Sequence, residues 1–226
     1  MNNIFDKSDY VKRFVEKDAD GEGDPVYSPM DPPDAYKPPG ISAVPYEELH
    51  PVLQLFMDEH KNTLTRLKEF ENTLLEISKE GVNKERNIRL GEFFEFLDDK
   101  IVLHNLKEEK VLFPLLHDRL LEKGEHSPGN IPETAVDMLE NDHIKMMQLV
   151  TLTFSLMGVS SRLTDPVSRA VLVDIAIEQG KALVELLRLH IFREDNMVFA
   201  LAHKYLTAGD FADRVKKIEK YFSVRL

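Results

Sequence analysis

The chain has 226 residues, of which 42% are hydrophobic, and a formal net charge of −11. That length and apolar share suit one large domain, or one domain plus an arm, burying its own core. The acidic balance argues against nucleic acid or an anionic membrane surface as partner, and the lack of cysteine removes disulfides, thiolate metal sites, iron–sulfur clusters and cysteine nucleophiles together. The missing cysteine fits a reducing compartment. The N-terminal MNNIFDKSDYVKRF has no apolar signal-type region, and no apolar run reaches the ~18 residues of a membrane span. A cytoplasmic protein is the expectation.

Residues 1–47 stand apart. They hold seven of the twelve prolines (Pro25, Pro29, Pro32, Pro33, Pro38, Pro39 and Pro45) among acids and glycines, so a long helix is excluded and an extended arm is expected. Ser8 could cap a short amphipathic helix with Tyr10, Val11, Phe14 and Val15 on its apolar side. The arm packs on the domain or contacts a second subunit in a homodimer.

From there the period turns helical over the domain 48–226. A first helix, 48–80, places Leu53, Leu55, Phe56, His60, Leu64, Leu67, Phe70, Leu74 and Ile77 on one face, with Gly81 beyond its end. A second, 84–123, carries Phe93, Phe94, Leu97, Ile101, His104, Glu108, Val111, Leu112 and Leu115, and Pro114 should kink it one turn past the acids. A third, 132–160, starts with Pro132 at its first position and turns Ala135, Met138, Leu139, His143, Met146, Met147 and Leu149 inward. A fourth, 165–206, offers Val171, Ile175, Leu183, Leu187, His190, Glu194, Met197 and Leu201. A short fifth, 209–223, packs through Phe211, Val215, Ile218 and Phe222. Four long helices with short loops predict an all-α, up-down-up-down antiparallel four-helix bundle, with the arm and the fifth helix as additions.

The second and fourth helices repeat. A shift of 86 residues lays LHNLKEEKVLF (103–113) on LHIFREDNMVF (189–199), so His104 falls on His190 and Glu108 on Glu194. The first and third match at a shift of 83, Asp58-Glu59-His60 on Asn141-Asp142-His143. In each copy the glutamate follows its histidine by four residues, about 400° of helix, so both share a face. A duplicated hairpin then brings four imidazoles and two carboxylates to the middle of an apolar bundle. Unpaired, each buried carboxylate costs several kcal/mol, which divalent metal repairs. Glu108 and Glu194 would bridge two ions, with His60 and His104 on one and His143 and His190 on the other. Imidazole and bridging carboxylate without sulfur favour iron, with manganese or zinc as substitutes. His117 and His203 also superpose under the shift, but each lies about 220° round and ~20 Å along the helix from its partner histidine. His50, at a helix start, and His126, in a loop, are set aside too.

At these residues the sequence resembles the hemerythrin-like family, the HHE cation-binding domain, over about residues 48–206. The marks are His60 and His143, each after an acid, together with HNLKEEKVLFP and HIFREDNMVFA. The resemblance implies an antiparallel four-helix bundle around a non-haem di-iron centre, oxo- or hydroxo-bridged, that binds or senses oxygen, nitric oxide or iron. An oxidase, a peroxidase or an iron donor for iron-centre repair is the alternative. Two departures stand out. Oxygen carriers of the family place a further histidine at the position of Met147, so the histidine split here becomes two and two. They also place the last carboxylate where this chain has Asp195; the internal repeat favours Glu194, with Asp195 as alternate.

Overall fold

Side-chain caps set where each helix begins. The computed structural model describes residues 42–128 and 130–222. The arm as far as residue 41, with Ser8, its expected apolar side and any contact with a second subunit, lies outside the described residues. Helix α1, Pro51–Glu80, starts where the His50 ring accepts the Val52 N–H at 3.2 Å. Helix α2, 84–122, starts at Asn83, which accepts from Arg86 N–H at 2.8 Å. For α3, Ala135–Ser160, Thr134 and Asp137 form a reciprocal capping box, so Pro132 precedes the helix instead of opening it. For α4, 166–205, Asp165 accepts from Ser168 N–H at 2.7 Å. In α5, Ala208–Phe222, Thr207 and Asp210 exchange bonds in the same way. Each cap satisfies donors that the first turn leaves open. Gly81 and Gly124 come after α1 and α2 at φ 79° and 72°, where a side chain would be strained.

Two of these helices are not α throughout. In α2 the turns Leu97–Ile101 and Glu108–Leu112 are π, and in α4 the turn Glu194–Val198 is. Each wide turn inserts one residue and shifts the helical phase of the residues beyond it. Leu115, expected in the core, is therefore half-buried, while Leu116 and Leu120 are fully enclosed. The break expected at Pro114 takes the form of the π turn just before it; Pro114 then sits in the first turn of the α segment Phe113–Glu122, where no N–H is needed.

The described residues are helical without a strand, and they pack around two apolar clusters. One gathers Leu49, Val52, Leu53 and Phe56 with Val111–Leu120 residues of α2, Val136 and Leu139 of α3, Val198–Ala202 residues of α4 and Leu206 just beyond it, and Phe211 and Ile218 of α5. The other gathers Leu67, Phe70, Leu74 and Ile77 with Leu90, Phe93, Leu97, Met146, Ile177, Leu183, Val184 and Leu187. Between them the buried side chains are mostly polar, with Ile191 of α4 as the apolar exception. The second cluster has a narrow seam: on α1 it runs through positions 60, 63, 67, 70, 74 and 77, which alternate by three and four, with buried Thr73 beside it. That spacing leaves Leu64 on the flank at 39% exposure and Leu55 half-buried. Met147, Val171 and Ile175 are likewise exposed rather than inward, and on α4 the seam runs through Ala176, Ile177 and Gly180. Gly180 permits the approach of α1, since a Cβ there would stand 2.7 Å from Leu74 Cδ1. Met138, Leu149 and Met197 are half-buried, and the side chain of Phe222 lies outside the described residues. No helix among the described residues is long and apolar enough to cross a membrane.

Phe70, 1% exposed, stacks on Phe93 with centroids 3.9 Å apart. Phe70→Ala is expected to cost about 3–5 kcal/mol, read as a lower denaturation midpoint in urea, with the polar layer still able to bind metal.

Candidate metal centre

The layer between the clusters is built from α1 (His60), α2 (His104, Glu108), α3 (His143) and α4 (His190, Glu194). All six are buried, and both glutamates are at 0% exposure. Their donor atoms fall into two overlapping sets, His60–His104–Glu108–Glu194 and Glu108–His143–His190–Glu194, each with its atoms within 4.8 Å of one another. Glu108 divides its oxygens between the sets. Oε1 is 3.2 Å from His104 Nε2, and Oε2 is 3.6 Å from His143 Nε2. Glu194 Oε2 lies 3.1 Å from His60 Nε2 and 3.4 Å from His190 Nε2. The histidines face one another in pairs, His60 Nε2 3.0 Å from His104 Nε2 and His143 Nε2 3.2 Å from His190 Nε2.

An outer ring, which the sequence pattern alone did not assign, orients these rings. His60 Nδ1–H donates to Asp195 at 2.7 Å, His104 Nδ1–H to Glu59 at 2.8 Å, and His143 Nδ1–H to Glu109 at 2.8 Å. A carboxylate only accepts, so the proton sits on Nδ1 and the Nε2 lone pair is turned to the centre. Asp195, the alternate ligand expected from the sequence, thus holds His60 from behind while Glu194 faces inward. Behind the acids, Lys107 donates to Glu59 and Arg193 donates to Asp142. Phe113 stacks on His143 and Phe199 on His60. The internal repeat carried the signal for all of this: Glu59 and Asp142 coincide at one shift, and Lys107 and Arg193, Glu109 and Asp195, and Phe113 and Phe199 at the other.

The remaining histidines are elsewhere. His117 bonds Thr134 Oγ1 at 3.0 Å, His126 bonds Ser127 O at 2.9 Å, and His50 caps α1 and stacks on Phe211. A groove of about 790 Å³ between α2 and α3 reaches the layer from one side, lined by Val102, Leu106, Glu109, His143, Ile144 and Met147 among others.

The residues fit a cation. All four oxygens of Glu108 and Glu194 are buried without a hydrogen-bond donor, an arrangement that costs several kcal/mol per carboxylate unless positive charge lies among them. Imidazole lone pairs facing each other at 3.0–3.2 Å need the same thing. Protons supply it when metal does not. Burial opposes charge on His60, but the hydrogen bond to Asp195 and the Glu194 carboxylate 3.1 Å away outweigh it and hold its pKa up at about 9. Burial likewise opposes His104, and the charge of Glu108 wins, raising it to about 10. For Glu108 burial pushes upward, yet the facing imidazoles bring it down to about 2.

Fold and site together define a helical protein built around a buried cluster of histidines and glutamates that can hold cations. The chain belongs to the Hemerythrin HHE cation binding domain family, whose model matches residues 52–202. No curated protein and no solved structure matches it.

Protein stripped of metal by a chelator should show the linkage directly. The raised pKa values of His60 and His104 contribute stability that is full below about pH 6.5 and lost as pH rises through 9 to 10. The lowered value of Glu108 contributes stability that is full above about pH 4.5 and lost on falling toward 2. Urea midpoints of the stripped protein are therefore expected to fall between pH 6.5 and 10, and a flat profile would contradict the assignment.

Proposed function

We propose that this chain is a non-haem di-iron protein of hemerythrin type, an up-down-up-down antiparallel four-helix bundle that binds or senses oxygen, nitric oxide or iron in the cytoplasm. The bundle reading draws support from the order in which each helix meets the two clusters. Helices α1 and α3 enter the cluster of Phe56 and Leu139 first, whereas α2 and α4 enter the cluster of Leu97 and Leu183 first.

The observation that carries the metal reading is the convergence of four Nε2 atoms on two buried carboxylates whose oxygens have no hydrogen-bond donor. In this reading His60 and His104 hold one ion, His143 and His190 the other, and Glu108 and Glu194 bridge them. Charge supports two divalent ions. Glu59, Glu108, Glu109, Asp142, Glu194 and Asp195 bring six negative charges and Lys107 and Arg193 return two, which leaves four to be matched. Iron suits imidazole and carboxylate donors, and manganese or zinc are the substitutes. The bound pair would supply positions for a small ligand. The protein residues fix the imidazole tautomers, keep the carboxylates from water and, through Phe113 and Phe199, wall the centre off from the first cluster.

Met147 points the reading away from simple oxygen storage. It is 43% exposed and lines the α2–α3 groove, so it adds no donor and each ion keeps open positions. The groove beside His143 favours a second reading, a di-iron oxidase or peroxidase or an iron donor. Steady turnover of peroxide or nitric oxide that is lost in Glu108→Ala would select it over binding alone.

Aerobically purified protein is expected to hold two irons per chain and to show the charge-transfer absorption of a bridged di-iron pair. His104→Ala and His190→Ala should each lose that absorption and at least one iron. Full metal content in both variants would overturn the site.

A further inference from the structure

The two halves of the centre differ in how one acid of each serves its histidine. In the first half Glu59 serves two partners with its two oxygens: Oε1 accepts from Lys107 and Oε2 from His104 Nδ1 at 2.8 Å. In the second half the matching acid is Asp142, one methylene shorter, and the matching cation is Arg193. Arg193 Nη1 donates to Asp142 Oδ2 at 2.9 Å, and that same oxygen stays 3.7 Å from His190 Nδ1, beyond hydrogen-bond reach. His190 Nδ1 is buried without a hydrogen-bond partner, whereas His60, His104 and His143 each have theirs. A carboxylate on Nδ1 makes an imidazole a stronger donor and holds its ring in place, and losing such a partner typically costs about 10–100-fold in metal affinity. Access points the same way. His143 and Glu109 line the α2–α3 groove, while His60 and His104 are not among its walls.

We propose that the two metal positions are unequal by construction: the ion on His60 and His104 is retained, and the ion on His143 and His190 is the exchangeable one, because Arg193 draws Asp142 away from His190. Arg193 and Asp142 are positioning residues in this scheme, acting through His190. The inference rests on the di-iron reading above and adds an order of loading and release to it. An exchangeable ion beside an open groove suits a protein that reports on, or hands over, ferrous iron.

The test is calorimetric titration of the full, chelator-stripped chain with ferrous iron under anaerobic conditions, with native mass spectrometry to count bound ions. Wild type should show two steps separated by about 10–100-fold in dissociation constant. Asp142→Glu, which restores the reach of the first half, should tighten the weak step and bring the two within a few-fold. Glu59→Asp should weaken the tight step and leave the weak one in place. Circular dichroism confirms that each variant is folded, and two separate variants keep the test alive if one is not. Two equal steps in wild type, or a separation unmoved by Asp142→Glu, would overturn the inequality while leaving a two-ion centre standing. No binding in wild type would overturn the di-iron reading itself.

Discussion

Glu108 and Glu194 place two carboxylates at zero exposure, with no donor on any of their four oxygens, in the middle of what could have been one continuous apolar core. Such groups are tolerated only where positive charge is close, and the surroundings are arranged to provide for it. Four imidazoles turn Nε2 toward the oxygens, and three of them are held in that tautomer by a carboxylate on the far nitrogen. Glu59 and Asp142 are in turn anchored by Lys107 and Arg193. The division of the hydrophobic residues into two clusters follows from this, because polar side chains fill most of the level between them.

The fold was legible because its signals are periodic. The spacing of apolar residues located four long helices, and Gly81 and Gly124 marked two ends. Of the site, the six inward residues were legible from the in-phase repetition of histidine and glutamate, and the structure brings those six together. What escaped was whatever depends on a neighbouring helix. Glu59 contacts a histidine on α2, Glu109 one on α3, and Asp195 one on α1, so no single-helix pattern announces them. Leu64, Val171 and Ile175 were misplaced because a seam that alternates by three and four is narrower than the face a hydrophobic period suggests. Pro132 misled for a different reason: a threonine able to form a capping box lies two residues later and takes the helix start.

Duplication gives the centre its near-symmetry, and small departures from it give the centre its character. Phe113 and Phe199 cover opposite halves from equivalent places, and Glu109 and Asp195 do equivalent work despite differing in length. At Glu59 and Asp142 the same difference in length is not absorbed, since each must also serve a cation. A single methylene therefore matters at one pair of positions and not at the other. Which chemistry the carboxylate must perform, and how many partners it has, decides the outcome more than its charge.

The π turns at Glu108–Leu112 and Glu194–Val198 have a consequence for how the chain tolerates change in length. Each makes its helix a shaft in two parts, joined by a coupling that offsets one part from the other by about one residue's rotation, ~100°. Removing one residue there would restore a regular α-helix and turn Leu116 and Leu120, or Leu201 and Ala202, out of the core that now encloses them. Insertions and deletions that surface loops absorb freely are thus barred from the centre of these two helices, at the acids themselves. The extra residue fastens the acidic level of the bundle to the apolar level below it.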